Sequence, residues 1–141
     1  MYQKPALSFA QVQASMEAMI ERAKHLPIPV AIAIVDDAGN LKAYVAMDNV
    51  RLFARRHAVR KAYTAAIVGM DSGTHAEQLK KTGRSLSDLG GDPNLTIGAG
   101  GMVVRSKDGA ILGGVGVGGL PPTGDFKDDD LAQIGVNAMN L

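Results

Sequence analysis

The sequence predicts an α+β domain, a central antiparallel sheet with helices packed on it, and three observations carry that reading. The apolar run Val30 to Val35 and the stretch Leu41 to Met47 are joined only by Asp36-Asp37-Ala38-Gly39-Asn40. That link is dense in turn formers and too short for a crossover, so the two strands pair antiparallel. A second hairpin lies in the glycine-rich stretch Gly98 to Gly119. Its strands are Met102-Val103-Val104 and Ala110-Ile111-Leu112 with Val115 and Val117, turning at Lys107-Asp108-Gly109. Segments with helical spacing and caps precede, separate and follow the hairpins, which is the α+β arrangement.

In chain order, Ser8 opens the first helix. Gln11 lies three residues on, as in a capping box, and Leu7 with Val12 fits a hydrophobic staple. Val12, Met16, Met19, Ile20 and Ala23 then repeat at helical spacing, until Pro27 and Pro29 end the helix. Val30 to Val35 is too apolar to alternate, so it reads as a central strand buried on both faces. Asp48 or Asn49 is the expected cap of a second helix running to about Val68. Its apolar side is read as Leu52, Val59, Tyr63, Ala66 and Ile67. Arg51, Arg55, Arg56, Arg60 and Lys61 lie on the other sides, with His57 among them. Thr74 with Glu77 suggests the cap of a short third helix through Lys81. Thr82 to Asn94 is a loop long enough to be functional or to cover a partner surface. Leu95 to Ile97 is a candidate short strand. Leu120-Pro121-Pro122-Thr123-Gly124 is a rigid turn segment before a terminal helix opened by Asp128, Asp129 and Asp130. Acids at a helix start are favourable with the macrodipole, so they imply no metal.

Composition narrows the function classes. A chain of 141 residues makes one domain, 1–141. A net charge of +1 argues against nucleic-acid binding. No window nears the roughly 20 apolar residues of a membrane span, and the N-terminus lacks a signal-peptide layout, so the expected location is cytoplasmic. With no cysteine there is no disulfide, thiolate chemistry or Cys-ligated metal. Glycine abounds, with 17 residues, while aromatics are scarce at 4%. The core must therefore form from Val, Ile, Leu, Met and Ala at close backbone approach.

Nearly the whole chain resembles the GlcG/HbpS-like family, which includes the C-terminal domain of PduO-type proteins. The resemblance rests on Pro29-Val30-Ala31-Ile32-Ala33-Ile34-Val35-Asp36 after the first helix, then Gly39-Asn40-Leu41 and Met47-Asp48. It continues through Arg60-Lys61-Ala62-Tyr63-Thr64-Ala65, Gly100-Gly101, Asp108-Gly109 and Gly113 to Gly119. It implies a profilin-like fold with a five-stranded antiparallel sheet between helices, and homo-oligomers of two or more chains. It also implies haem or a related tetrapyrrole as ligand in some members, and a catabolic-operon setting in others. Residues 120–127 stand as an insertion relative to the family pattern.

The chemistry-bearing residues leave two function classes open. His25, His57 and His75 lie on three different helices or helix ends. A neutral imidazole can ligate haem iron, whereas the plain alternative is a solvated surface histidine. No pair has the spacing of a structural zinc site, so no metal site is expected. Arg51 with Arg55, and Arg56 with Arg60, put like charges on shared faces, which calls for an anion: an acid of this chain or of a second subunit, or a ligand carboxylate. For a small-ligand protein the candidate binding residues are the three histidines, Arg56, Gly100 and Gly101. The alternative is an isomerase or lyase acting on a small organic acid by proton transfer. It would use Lys61 as base and Arg60 as carboxylate clamp, with Thr64, Asp36 and the Gly98 to Gly101 amides stabilising charge. Equally, Lys61 can lay its stem on the sheet and meet Asp36 or Asp48. The glycine clusters do not open a helix after a parallel strand, so they are not phosphate loops.

Overall fold

The computed structural model describes residues 1–141. Four strands form one antiparallel sheet: β1 (Ala31–Asp36), β2 (Leu41–Ala46), β3 (Gly101–Arg105) and β4 (Ile111–Gly118), in the order β2-β1-β4-β3. The helices are α1 (Phe9–Ala23), α2 (Leu52–Val68), α3 (Ser72–Lys81) and α4 (Asp128–Asn137). Both hairpins and the terminal helix fall where the pattern put them. The fifth strand does not form. Leu95 to Ile97 joins no ladder, because the Thr96 N–H donates instead to Thr64 Oγ1 at 3.0 Å, tying the segment to α2.

Local chemistry sets the helix ends. Ser8 Oγ accepts the Gln11 N–H at 3.1 Å and Gln11 Oε1 accepts the Ser8 N–H at 3.0 Å, a complete capping box. Leu7 and Val12 are buried beside it in the same cluster. Two predicted caps move. The N-cap of α2 is Arg51, because Asn49 takes a left-handed φ of 65° in the preceding turn. The N-cap of α3 is Asp71, three residues before Thr74, and its carboxylate accepts the Val103 N–H of β3 at 3.0 Å. The 82–94 loop contains one 3-10 turn, Leu86–Leu89.

The sheet has a large-residue face and a small-residue face. Ile32 and Ile34 of β1 pair with Val117 and Val115 of β4, and all four are buried against α1 and α4 with Met19 and Leu131. Each such side chain contributes about 1.5–3 kcal/mol on burial. On the opposite face Ala31, Ala33 and Val35 pair with Gly118, Gly116 and Gly114. There α2 lies directly on β4, since a Cβ on Gly114 or Gly116 would collide with the Ala62 or Ala58 carbonyl oxygen. Only Gly allows so close a backbone approach.

That approach selects the buried side of α2, and the expected apolar side is corrected. Ala54, Ala58, Ala62 and Ala66, an i, i+4 row, face the sheet, while Leu52 and Ile67 are exposed. A helix resting on glycines has no room for Leu or Ile beneath it.

Candidate functional site

Next to the alanine row, α2 carries a second i, i+4 row: Phe53, His57 and Lys61. Four residues advance slightly more than one turn, so the row winds inward from exposed Phe53 through half-buried His57 to buried Lys61. This flank of α2 walls a cavity of about 490 Å³. The other walls are Thr96 to Ala99, the end of β4 at Gly118 to Leu120, Pro122, and the start of α4 at Lys127 to Asp129. The volume falls within the roughly 300–1,000 Å³ usual for small-molecule sites.

Lys61 forms the floor. Its Nζ donates to Val117 O and to Asp128 Oδ2, both at 3.0 Å, and the two charged side chains are 10% and 12% exposed. The partner acid is therefore Asp128, not Asp36 or Asp48. Asp128 Oδ1 also accepts the Leu120 N–H at 3.0 Å, so one carboxylate joins α2, α4 and the end of β4. Burial raises the Asp128 carboxyl above its usual range, and the Lys61 charge and the Leu120 N–H oppose that rise. Burial likewise raises Asp129, against a backbone hydrogen bond from Gly100.

His57 has a defined tautomer. Its Nδ1 lies 3.1 Å from Phe53 O, and a carbonyl only accepts, so Nδ1 carries the proton and neutral His57 keeps its lone pair on Nε2. Burial holds the ring below its ordinary pKa, and the Arg60 and Lys61 charges act in the same direction. The Phe53 ring stacks on the imidazole with centroids 3.8 Å apart. Arg51 and Lys127 line the cavity, and neither forms an ion pair in the chain.

The other candidates are scattered. His25 is exposed beyond α1, 3.7 Å from Glu21. His75 is buried in α3 with Nδ1 unpartnered, and burial and Arg84 lower its pKa. Thr64 is buried and holds Thr96. Asp36 closes the β1–β2 turn by accepting the Ala38 and Asn40 N–H groups, at the opposite end of β1 from the cavity. Gly100 and Gly101 stand behind the floor, where a Cβ on either would meet Lys61. Arg56 and Arg60 lie off the cavity and, like Arg55, find no acid within the chain, so of the anions these arginines call for, an acid of the same chain is not the one. The sequence reading missed Phe53, Thr96, Ile97, Lys127, Asp128 and Asp129 as cavity residues. The i, i+4 spacing of His57 and Lys61 was the available signal. No group of three or more His, Asp or Glu is placed to hold a metal ion.

Comparison with known proteins gives a consistent set of relatives. A family model described as haem degrading protein HbpS-like matches residues 7–137. The corrinoid adenosyltransferase PduO of Salmonella typhimurium is 32% identical over 139 residues, covering 96% of this chain. The Citrobacter freundii protein of the same description is 30% identical over 139 residues. The chain spans only 40% of the length of either relative. Among solved structures, a haem complex of PduOC superposes with a TM-score of 0.81 at 29% identity, over 96% of each chain. A doubly substituted HbpS of Streptomyces reticuli gives 0.83 at 29% identity, over 97% of this chain and 89% of its own.

Proposed function

The chain belongs to the HbpS-like family, and from that premise we propose that it binds haem, or a related tetrapyrrole, in the cavity beside α2. The observation that carries the reading is His57: a neutral imidazole on the cavity wall, its Nδ1–H committed to a backbone carbonyl and its Nε2 lone pair uncommitted. An outer hydrogen bond of this kind fixes ring orientation in metal-ligating histidines. The remaining residues fit the group. Phe53, Ile97, Leu120 and Pro122 supply apolar wall, and Arg51 and Lys127 supply cations for carboxylate arms. When bound, haem would supply a redox-active iron, while the chain binds and orients the macrocycle. The relatives named corrinoid adenosyltransferase make a corrin ring the second ligand to test.

A second copy of the chain over the cavity mouth is the finer part of the reading. Phe53 and Ile97 are 67% and 62% exposed there, and the α2 arginines find no acid within one chain. Binding is favoured over proton-transfer catalysis because the Lys61 ammonium is already committed to Val117 O and Asp128. No helix is long and apolar enough to cross a membrane.

Hemin titration of the purified protein, followed in the Soret band, tests this. Saturable binding that weakens at least tenfold in His57→Ala, but not in His25→Ala or His75→Ala, is expected. Non-saturable binding, or binding indifferent to His57, refutes it. Cobalamin in place of hemin distinguishes the corrin alternative.

A further inference from the structure

We propose that Arg22 of α1, which does not touch the cavity, fixes the position of the cavity wall built from residues 120–127, acting through Phe126. Three residues of this segment, Leu120, Pro122 and Lys127, line the cavity. Its ends are well held. Leu120 is buried in the core and its N–H donates to Asp128 Oδ1 at 3.0 Å. The Lys127 N–H donates to Asp130 Oδ2 at 2.8 Å.

Between these anchors little backbone hydrogen bonding is available. Pro121 and Pro122 have no N–H to give. The Gly124 N–H is spent inside the segment, on Pro121 O at 3.2 Å. Pro121, Pro122 and Thr123 are exposed. What fastens the middle of the strap is one side chain. Phe126 is half-buried against the α1 and α4 core, and the Arg22 guanidinium lies over its ring, 4.3 Å from the centroid.

Arg22 has no carboxylate partner in the chain, so its charge is free for the ring face. It also stands in the last turn of α1, where a cation is favoured by the helix dipole. Arg22 and the core thus hold the Phe126 ring between them. Phe126 adjoins Lys127 in the chain, and the turn at Pro121 to Gly124 transmits its position to Pro122. Loss of the Arg22 contact frees the strap to move away from the cavity, which increases ligand escape rather than removing a ligand contact. Arg22 is in this sense a positioning residue.

The test has two readouts, of which the second rests on the haem-binding reading. In ligand-free protein, amide hydrogen exchange at Gly124 and Lys127, the two hydrogen-bonded amides between Thr123 and Lys127, is measured for wild type, Arg22→Ala, Arg22→Lys and Phe126→Leu. Exchange about threefold faster in Arg22→Ala is expected, the size of one cation–π contact at a partly exposed site, with most of the protection restored in Arg22→Lys. Phe126→Leu should match or exceed the alanine variant. Hemin transfer to an excess of apomyoglobin should quicken by a similar factor, with rescue by Lys. A thermal midpoint near wild type shows that the variants are folded.

Unchanged exchange in Arg22→Ala overturns the pinning by Arg22, and unchanged exchange in Phe126→Leu as well overturns the role of the ring. Faster exchange with unchanged hemin release overturns the claim that the strap governs the cavity. If wild type binds no hemin, the ligand reading falls, while the exchange data still decide whether Arg22 holds the strap.

Discussion

Replacing one member of the Lys61–Asp128 pair should cost far more than replacing both. The charged side chains are 10% and 12% exposed and 3.0 Å apart. Breaking a buried pair leaves an uncompensated charge and typically costs about 3–5 kcal/mol. The residual exposure places the expected loss for Lys61→Met near the lower end, about 3 kcal/mol. At about 4 °C per kcal/mol for a domain of this size, that is a drop of about 12 °C in Tm. The double variant Lys61→Met with Asp128→Asn keeps an acceptor for the Leu120 N–H and buries no charge, so it should recover to within about 1 kcal/mol of wild type. The pH dependence follows from Asp128. Burial raises its carboxyl in the folded protein, and Lys61 opposes that rise. Without Lys61 the folded-state value rises further. A raised acid contributes stability that is full below its unfolded value, near 3.8, and is lost as pH climbs through the folded value. The deficit of Lys61→Met should therefore be small at pH 4 and widen toward pH 7. Urea unfolding of wild type, Lys61→Met, Asp128→Asn and the double variant across that range is the assay. A single variant within 1 kcal/mol of wild type at pH 7, or a double variant as unstable as the sum of the singles, would refute the reasoning.

Three further outcomes are expected. Gly116→Ala should lose about 1–3 kcal/mol by overpacking, because its Cβ meets Ala62 N at 2.5 Å and the Ala58 carbonyl oxygen closer still, whereas Gly124→Ala, with Pro121 O at 3.5 Å, should change urea midpoints little. Thr64→Val strands the buried Thr96 N–H and should cost about 1–3 kcal/mol; equal unfolding midpoints would disprove that role. Burial lowers the His75 pKa, so its stability contribution is present above 6.5 and lost as pH falls through the folded value. The loss of stability between pH 7 and 5 should thus be shallower in His75→Leu than in wild type, and parallel curves would count against it.

The sheet was legible because its signals are local. Turn formers at Asp36 to Asn40 and Lys107 to Gly109 fix each hairpin, and the unbroken apolar run of β1 announces burial on both faces. What misled was the buried side of α2. Leu52 and Ile67 outrank Ala54 and Ala62 in hydrophobicity, yet the glycines of β4 admit only the smaller residues. That requirement lies about 60 residues away in the sequence and becomes visible only when β4 is laid under the helix. The same distance hid Asp128. Its place at a helix start was explained by the macrodipole, and nothing near it names Lys61 as its partner. Asp36 and Asp48 are nearer only along the chain.

Once the alanine row is placed, the cavity follows from helix geometry. A row of Ala54, Ala58, Ala62 and Ala66 pressed on glycine leaves no freedom in the rotation of α2 about its axis. The neighbouring row of Phe53, His57 and Lys61 must then run along one flank, inward by degrees. A long side chain at its inner end needs an acceptor beyond the end of β4, and Asp128 meets that need by bringing the start of α4 to the same place. His57 and Phe53, one and two turns further out, have nothing of their own chain to bury them fully. The features that make the glycine strand a poor strand therefore also set an apolar ring and a neutral imidazole at the mouth of a cavity. A helix held away from the sheet by larger side chains could turn that row elsewhere, so Gly116→Ala should weaken hemin binding as well as stability. Loss of stability with unaltered hemin affinity would break this link between packing and site.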